Sequence, residues 1–221
     1  MKKLLTIAAL VGVTSLSFGQ GYIQFANNAS SRYSTNTPAS AHGTGFLTAS
    51  AQPAGTAYYF ALFAAPSTQN TISTLTDPTL SGWTFVHMGT NTAQAGRLSG
   101  NDSDAGAAAQ IPGFAANSTA DFAIAGWTAN IGTTWAEAQA WWANGTAAGS
   151  AARPGWFGIN STIANDAILL PFGSTYNGTF GSTAALMNGF GLSFYQVPEP
   201  TGFALAGLGA AVMLIFRRRK A

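Results

Sequence analysis

The stretch Ala57 to Ala64, reading AYYFALFA, is a strand-length apolar run between Gly55 and Pro66, and segments of that size recur along the chain between Gly, Asn and Pro punctuation. Tyr22 to Ala26, Trp83 to Met88, Asp121 to Trp127, Trp156 to Asn160 and Phe190 to Gln196 have the same character. Aromatic and β-branched side chains bounded by turn formers are the mark of strands. The last segment alternates Phe190, Leu192 and Phe194 with Gly191, Ser193 and Tyr195, the period of a strand with one buried face. An α/β fold would need repeated amphipathic helices. Short strands with long polar connections instead predict a mainly β chain, an antiparallel β-sandwich or jelly-roll-like domain.

One short helix is expected. Thr134-Trp135-Ala136-Glu137 fits the capping box, in which the first side chain caps the helix and the fourth reaches back to the N-terminal backbone. The helix is expected to run through Trp142 until Asn144-Gly145 stops it. Trp135, Gln139 and Trp142 then share a face that docks on the sheet. The stretches Asn27 to Ala54 and Gly96 to Asn117 read as loops of low complexity.

Charged residues make up only 7% of the 221, so solubility rests on neutral Asn, Ser, Thr, Gln and Gly. The net charge of +2 is misleading, because Lys2, Lys3, Arg217, Arg218, Arg219 and Lys220 all sit at the ends. Segment 21–196 carries Arg32, Arg97 and Arg153 against Asp77, Asp102, Asp104, Asp121, Glu137 and Asp166, a net −3. That removes the case for nucleic acid, whose phosphates require clustered cations on the domain itself. Six tryptophans and 12% aromatics supply the area for a core. With no cysteine, disulfides, thiolate metal sites and a Cys nucleophile are all excluded.

The two ends describe a route. Lys2 and Lys3, the apolar run Leu4 to Val13, and Ser17 and Gly19 ahead of Gln20 have the layout of a secretory signal peptide over 1–19, cut by signal peptidase. Residues 20–196 then form the exported β-rich domain. Thr201 to Phe216 is uncharged and largely apolar. As a helix it is short for a hydrocarbon core of about 30 Å, a deficit that bilayer thinning and snorkelling cations make up. Arg217, Arg218, Arg219 and Lys220 place its far end in the cytoplasm and the domain outside. Between domain and helix, Pro198 and Pro200 flank Glu199, and each proline holds its neighbourhood extended.

Taken together, Val197, Pro198, Glu199, Pro200, the apolar helix and the Arg cluster resemble the PEP-CTERM sorting signal of Gram-negative bacterial surface proteins, read by a membrane-embedded exosortase. The resemblance implies that Val197, Pro198, Glu199 and Pro200 are recognition residues and that Arg217, Arg218, Arg219 and Lys220 form the membrane stop. The opening Gln20-Gly21-Tyr22-Ile23-Gln24-Phe25-Ala26-Asn27-Asn28 also looks like the first strand of PEP-CTERM proteins from Verrucomicrobia-like bacteria. What the resemblance implies is a route and a fold style, not a reaction.

Candidate chemistry is sparse. His42, in the loop SAHGTG, and His87, in WTFVHMG, are the only histidines, and no G-x-S-x-G nucleophile elbow is present. Asn101, Asp102 and Asp104 in SGNDSDAG alternate hard oxygen donors as calcium loops do, but such runs are also ordinary turn formers. No cofactor is called for. The six tryptophans suggest a carbohydrate-binding surface against the plainer reading that they pack the core. The sequence therefore predicts a non-enzymatic exported protein of the cell surface or extracellular matrix. A carbohydrate-binding module acting on surface polysaccharide is the second reading, and an unrecognised hydrolase the third.

Overall fold

The computed structural model describes residues 20–27, 29, 31–37, 45–69, 72, 80–100, 108–148, 154–160, 164–169 and 191–195. The strands are β1 (Gln20–Gln24), β2 (Ser34–Thr35), β3 (Leu47–Thr48), β4 (Tyr58–Pro66), β5 (Thr84–Asn91), β6 (Leu98–Ser99), β7 (Ala108–Ala115), β8 (Thr119–Thr128), β9 (Gly155–Ile159), β10 (Ala164–Ile168) and β11 (Gly191–Tyr195). Among the described residues there is one helix, α1 (Trp135–Ala148), between β8 and β9. The six strands expected from apolar runs are all present, each within a few residues of its expected bounds.

Nine strands form one sheet in the order β3-β2-β11-β9-β8-β4-β5-β6, with β10 also paired to β8. Every pair in it is antiparallel except β11 with β2. A second sheet has only two strands, β1 and β7. The centre of the large sheet is the β4–β8 pair, in register from Tyr58 opposite Thr128 to Pro66 opposite Ala120.

Side chains on these two strands alternate between two cores. Phe60, Leu62 and Ala64 of β4 join Ala120, Phe122 and Ile124 of β8, together with Ile23 of β1, Phe25 just beyond it, and Ala109 and Ile111 of β7. Ala61, Phe63 and Ala65 join Ala123, Ala125 and Trp127, together with Ala138 and Trp142 of α1. Since neighbouring residues of a strand point to opposite faces, the β1–β7 ribbon covers one face of the large sheet and α1 the other. This is why AYYFALFA is apolar throughout: both faces of its strand are buried.

The β8 edge opposite β4 is shared by β9 and β10. Ile159 faces Ala125 and Ala164 faces Phe122, so five steps along one chain span three along the other. Asn160, 1% exposed, sits at the break. Its backbone N–H donates to Ile124 O at 3.0 Å, and its Oδ1 accepts from Ile124 N at 2.6 Å. The side chain thus supplies the buried Ile124 N–H with its acceptor where the pairing with β9 ends.

The capping box forms at the expected place. Thr134 Oγ1 accepts from Glu137 N at 3.3 Å, while Glu137 Oε2 accepts from Thr133 N at 2.7 Å and Thr134 N at 3.1 Å. These donors hold the Glu137 carboxyl below its ordinary range. The expected stop at Asn144-Gly145 is corrected, since α1 continues to Ala148. A glycine lowers helix stability without ending a helix unless it takes up the left-handed cap conformation.

Candidate sorting site at the end of the last strand

β11 is an interior strand. Gly191 and Leu192 pair in parallel with Ser34 and Thr35, and Ser193, Phe194 and Tyr195 pair antiparallel with Phe157, Trp156 and Gly155. Leu192 and Ser193 are buried. Close packing fixes the strand's depth: a Cβ on Gly158 would lie 2.3 Å from Gly191 O, and one on Gly126 would lie 3.0 Å from Leu192 Cδ2. Around it, Asn36 N donates to Leu192 O at 3.3 Å and Trp156 Nε1 to Asn36 O at 2.7 Å. The backbone of Trp156 is held in turn by Thr128 Oγ1 at 3.1 Å. The polypeptide is therefore held by β2 at Gly191 and Leu192 and by β9 from Ser193 to Tyr195.

β1 explains the Gln-Gly opening. A Cβ on Gly21 would lie 2.4 Å from Leu169 Cβ and 3.0 Å from Ala115 O, so no larger residue fits there without displacing its neighbours. Ile23 and Phe25 follow into the core. Asn27 then closes the segment, with Oδ1 accepting from Leu98 N at 2.8 Å and Nδ2 donating to Ser31 O at 2.8 Å and Gly96 O at 2.9 Å.

All six tryptophans are engaged in packing. Trp83, Trp127 and Trp142 are buried, and Trp135, Trp141 and Trp156 are half-buried against the cores. Trp141 and Trp142, adjacent on α1, both lie against Phe157, at centroid distances of 5.7 and 5.0 Å. Trp135 meets Phe63 edge-on at 4.9 Å. The face of α1 that docks is the expected one, with Ala138 at its centre. Sequence spacing missed that alanine because a small side chain carries little hydrophobic signal.

His87 lies on β5, edge-on to the Phe25 ring at 6.3 Å. His42, the calcium candidates Asn101, Asp102 and Asp104, the signal segment, and Val197, Pro198, Glu199, Pro200, Arg217, Arg218, Arg219 and Lys220 lie outside the described residues. Among the described residues, no group of His, Cys, Asp and Glu side chains is placed to hold a metal ion, and no helix is long and apolar enough to cross a membrane.

Residues 196–220 match the PEP-CTERM protein-sorting motif, which thus begins at the residue directly after Tyr195, the last of β11. No curated protein and no solved structure matches the chain. The motif implies an exported protein whose membrane-anchored precursor is processed by an exosortase.

Proposed function

We propose that this protein is a non-enzymatic component of the cell surface or extracellular matrix. In this reading, residues 1–19 are a signal peptide removed by signal peptidase, and 201–216 span the membrane. Arg217, Arg218, Arg219 and Lys220 remain on the cytoplasmic side. The domain waits outside the cytoplasm until an exosortase acts at Val197, Pro198, Glu199 and Pro200, and is then delivered to the outer surface. The β1–β7 ribbon laid over the large sheet suits a sandwich-like exported module that is stable without disulfides.

The observation that carries this reading is the sorting motif at 196–220, joined without a spacer to a β-rich domain. A carbohydrate platform would need exposed, coplanar aromatic rings; Trp83, Trp127 and Trp142 are buried, and Trp135, Trp141 and Trp156 are half-buried against the cores. The test is intact mass and cell fractionation of the wild type beside Glu199→Ala in the native host. The expected wild-type protein has lost its RRRK tail and left the inner membrane, while the variant stays full-length within it. A wild-type protein that keeps the tail in the membrane would reduce the motif to an anchor.

A further inference from the structure

We infer that in the membrane-held precursor the end of the domain at which β11 stops lies against the lipid headgroups, so that the loops 50–57 and 129–134 and Pro154 form its bilayer-facing surface. The inference rests on the reading of 201–216 as a membrane-spanning anchor, and its geometry comes from the sheet.

Among the described residues, Tyr195 is the last that is paired, opposite Gly155. The strand it belongs to cannot pay out chain beyond Phe194 and Tyr195 without exposing the buried Leu192 and Ser193. From Tyr195 to Thr201 there are six residue-to-residue steps, which span at most about 20 Å even when fully extended. β8 alone has ten residues, about 33 Å along the strand. The tether is shorter than the domain it holds. The end carrying Tyr195 therefore stays within reach of the bilayer throughout the life of the precursor.

Strand directions identify what else lies at that end. Tyr195 pairs with Gly155 at the start of β9, Trp127 near the end of β8 pairs with Phe157, and Thr128 pairs with Tyr58 at the start of β4. Loops 50–57 and 129–134 thus crown the same end, and Ala129 N donates to Ala57 O at 2.9 Å between them. Neither loop contains a charged residue. Loop 92–97, which joins β5 to β6 beside 50–57, brings Arg97 to this end as well, and Glu137 holds its carboxylate at Thr133 and Thr134. The end therefore carries charge of both signs and is kept at the bilayer by the short tether rather than by its own charge. The opposite end, with Pro66, Thr119 and the exposed Ile168, points away.

The absence of cysteine makes the test clean. The full chain carrying Glu199→Ala is purified from host membranes and placed in vesicles of phosphatidylethanolamine and phosphatidylglycerol with a headgroup-attached quencher. Single fluorophores are attached at Pro154→Cys and Ala54→Cys on the proposed surface, and at Thr68→Cys and Thr119→Cys at the far end. Quenching several-fold stronger at the first pair, lost when a long Gly-Ser linker is inserted after Tyr195, is the expected result. Equal quenching at both ends overturns the inference while leaving the anchor reading intact. Preferential protection that arises only when an exosortase is reconstituted alongside also overturns it, by assigning the surface to the enzyme. A chain that does not float with the vesicles removes the anchor reading itself and the inference with it.

Discussion

Tyr33 is buried among aromatic rings, 5.2 Å from Tyr58 and 4.9 Å from Phe60 between centroids. Burial pushes its phenol well above the ordinary range, and the neighbouring Tyr58 adds to the shift. Tyr58 is raised as well, chiefly by burial, with a hydrogen bond from Thr35 opposing. A neutral phenol favoured by the fold stabilises it fully below the unfolded value of about 10, and that contribution is lost as pH rises toward the raised folded value. Alkaline unfolding should therefore begin above pH ~10 and move to higher pH in Tyr33→Phe, as followed by circular dichroism and tyrosinate absorbance. Coincident pH midpoints would show that another group controls it. Asn160 gives a second prediction at this scale. Asn160→Ala strands the buried N–H of Ile124 and should cost about 1–3 kcal/mol in urea unfolding, whereas Asn160→Asp, which keeps the acceptor oxygen, should cost less. Neither role was legible in the sequence, where Asn160 stands among many asparagines and only the pairing of β8 with two successive strands reveals its use.

At the scale of elements, the capping box was legible because its chemistry is local: four consecutive residues contain both reciprocal bonds. Its carboxylate titrates with consequence. A Glu137 held ionised by the N–H groups of Thr133 and Thr134 stabilises α1 above the ordinary carboxylate pKa of about 4.3, and loses that effect as pH falls through the lowered folded value. Glu137→Gln should thus lower the melting temperature at neutral pH, and the gap to the wild type should close in acid. A gap independent of pH would mean that the charge plays no part. Other elements were hidden from the sequence for definable reasons. β7, reading AAQIPGFA, fell within a stretch expected to be loop because Pro112 and Gly113 interrupt it. The register absorbs both: Gly21 faces Ile111 while the adjacent Gln20 faces Ala115, so Pro112, Gly113 and Phe114 form a bulge where no ladder donor is needed. β2, β3 and β6 have two residues each, too few to show any period. The ends of β11 were read within one residue, because its alternation is regular, but that it lies in the sheet interior depends on β2 and β9, which are distant in sequence.

For the whole molecule, the consequence of one sheet buried on both faces is that the two cores share a backbone. β4 contributes Phe60, Leu62 and Ala64 to one and Ala61, Phe63 and Ala65 to the other, so neither core can open without disturbing the strand that builds its neighbour. Five of the six tryptophans report from the helix side, as Trp83, Trp127, Trp135, Trp141 and Trp142 do, and only Trp156 packs on the ribbon side. Leu62→Ala removes a fully buried side chain from the ribbon-side core and should cost about 2–5 kcal/mol. A chain of this size loses roughly 2–4 °C of melting temperature for each kcal/mol. If the shared strands couple the cores, tryptophan fluorescence, which reads mainly the face that was not altered, must fall together with far-ultraviolet circular dichroism in a single transition shifted by the same amount. If Leu62→Ala instead leaves the tryptophan transition in place while part of the β signal melts early, the ribbon layer opens independently and the helix-backed sheet is a unit that holds without it.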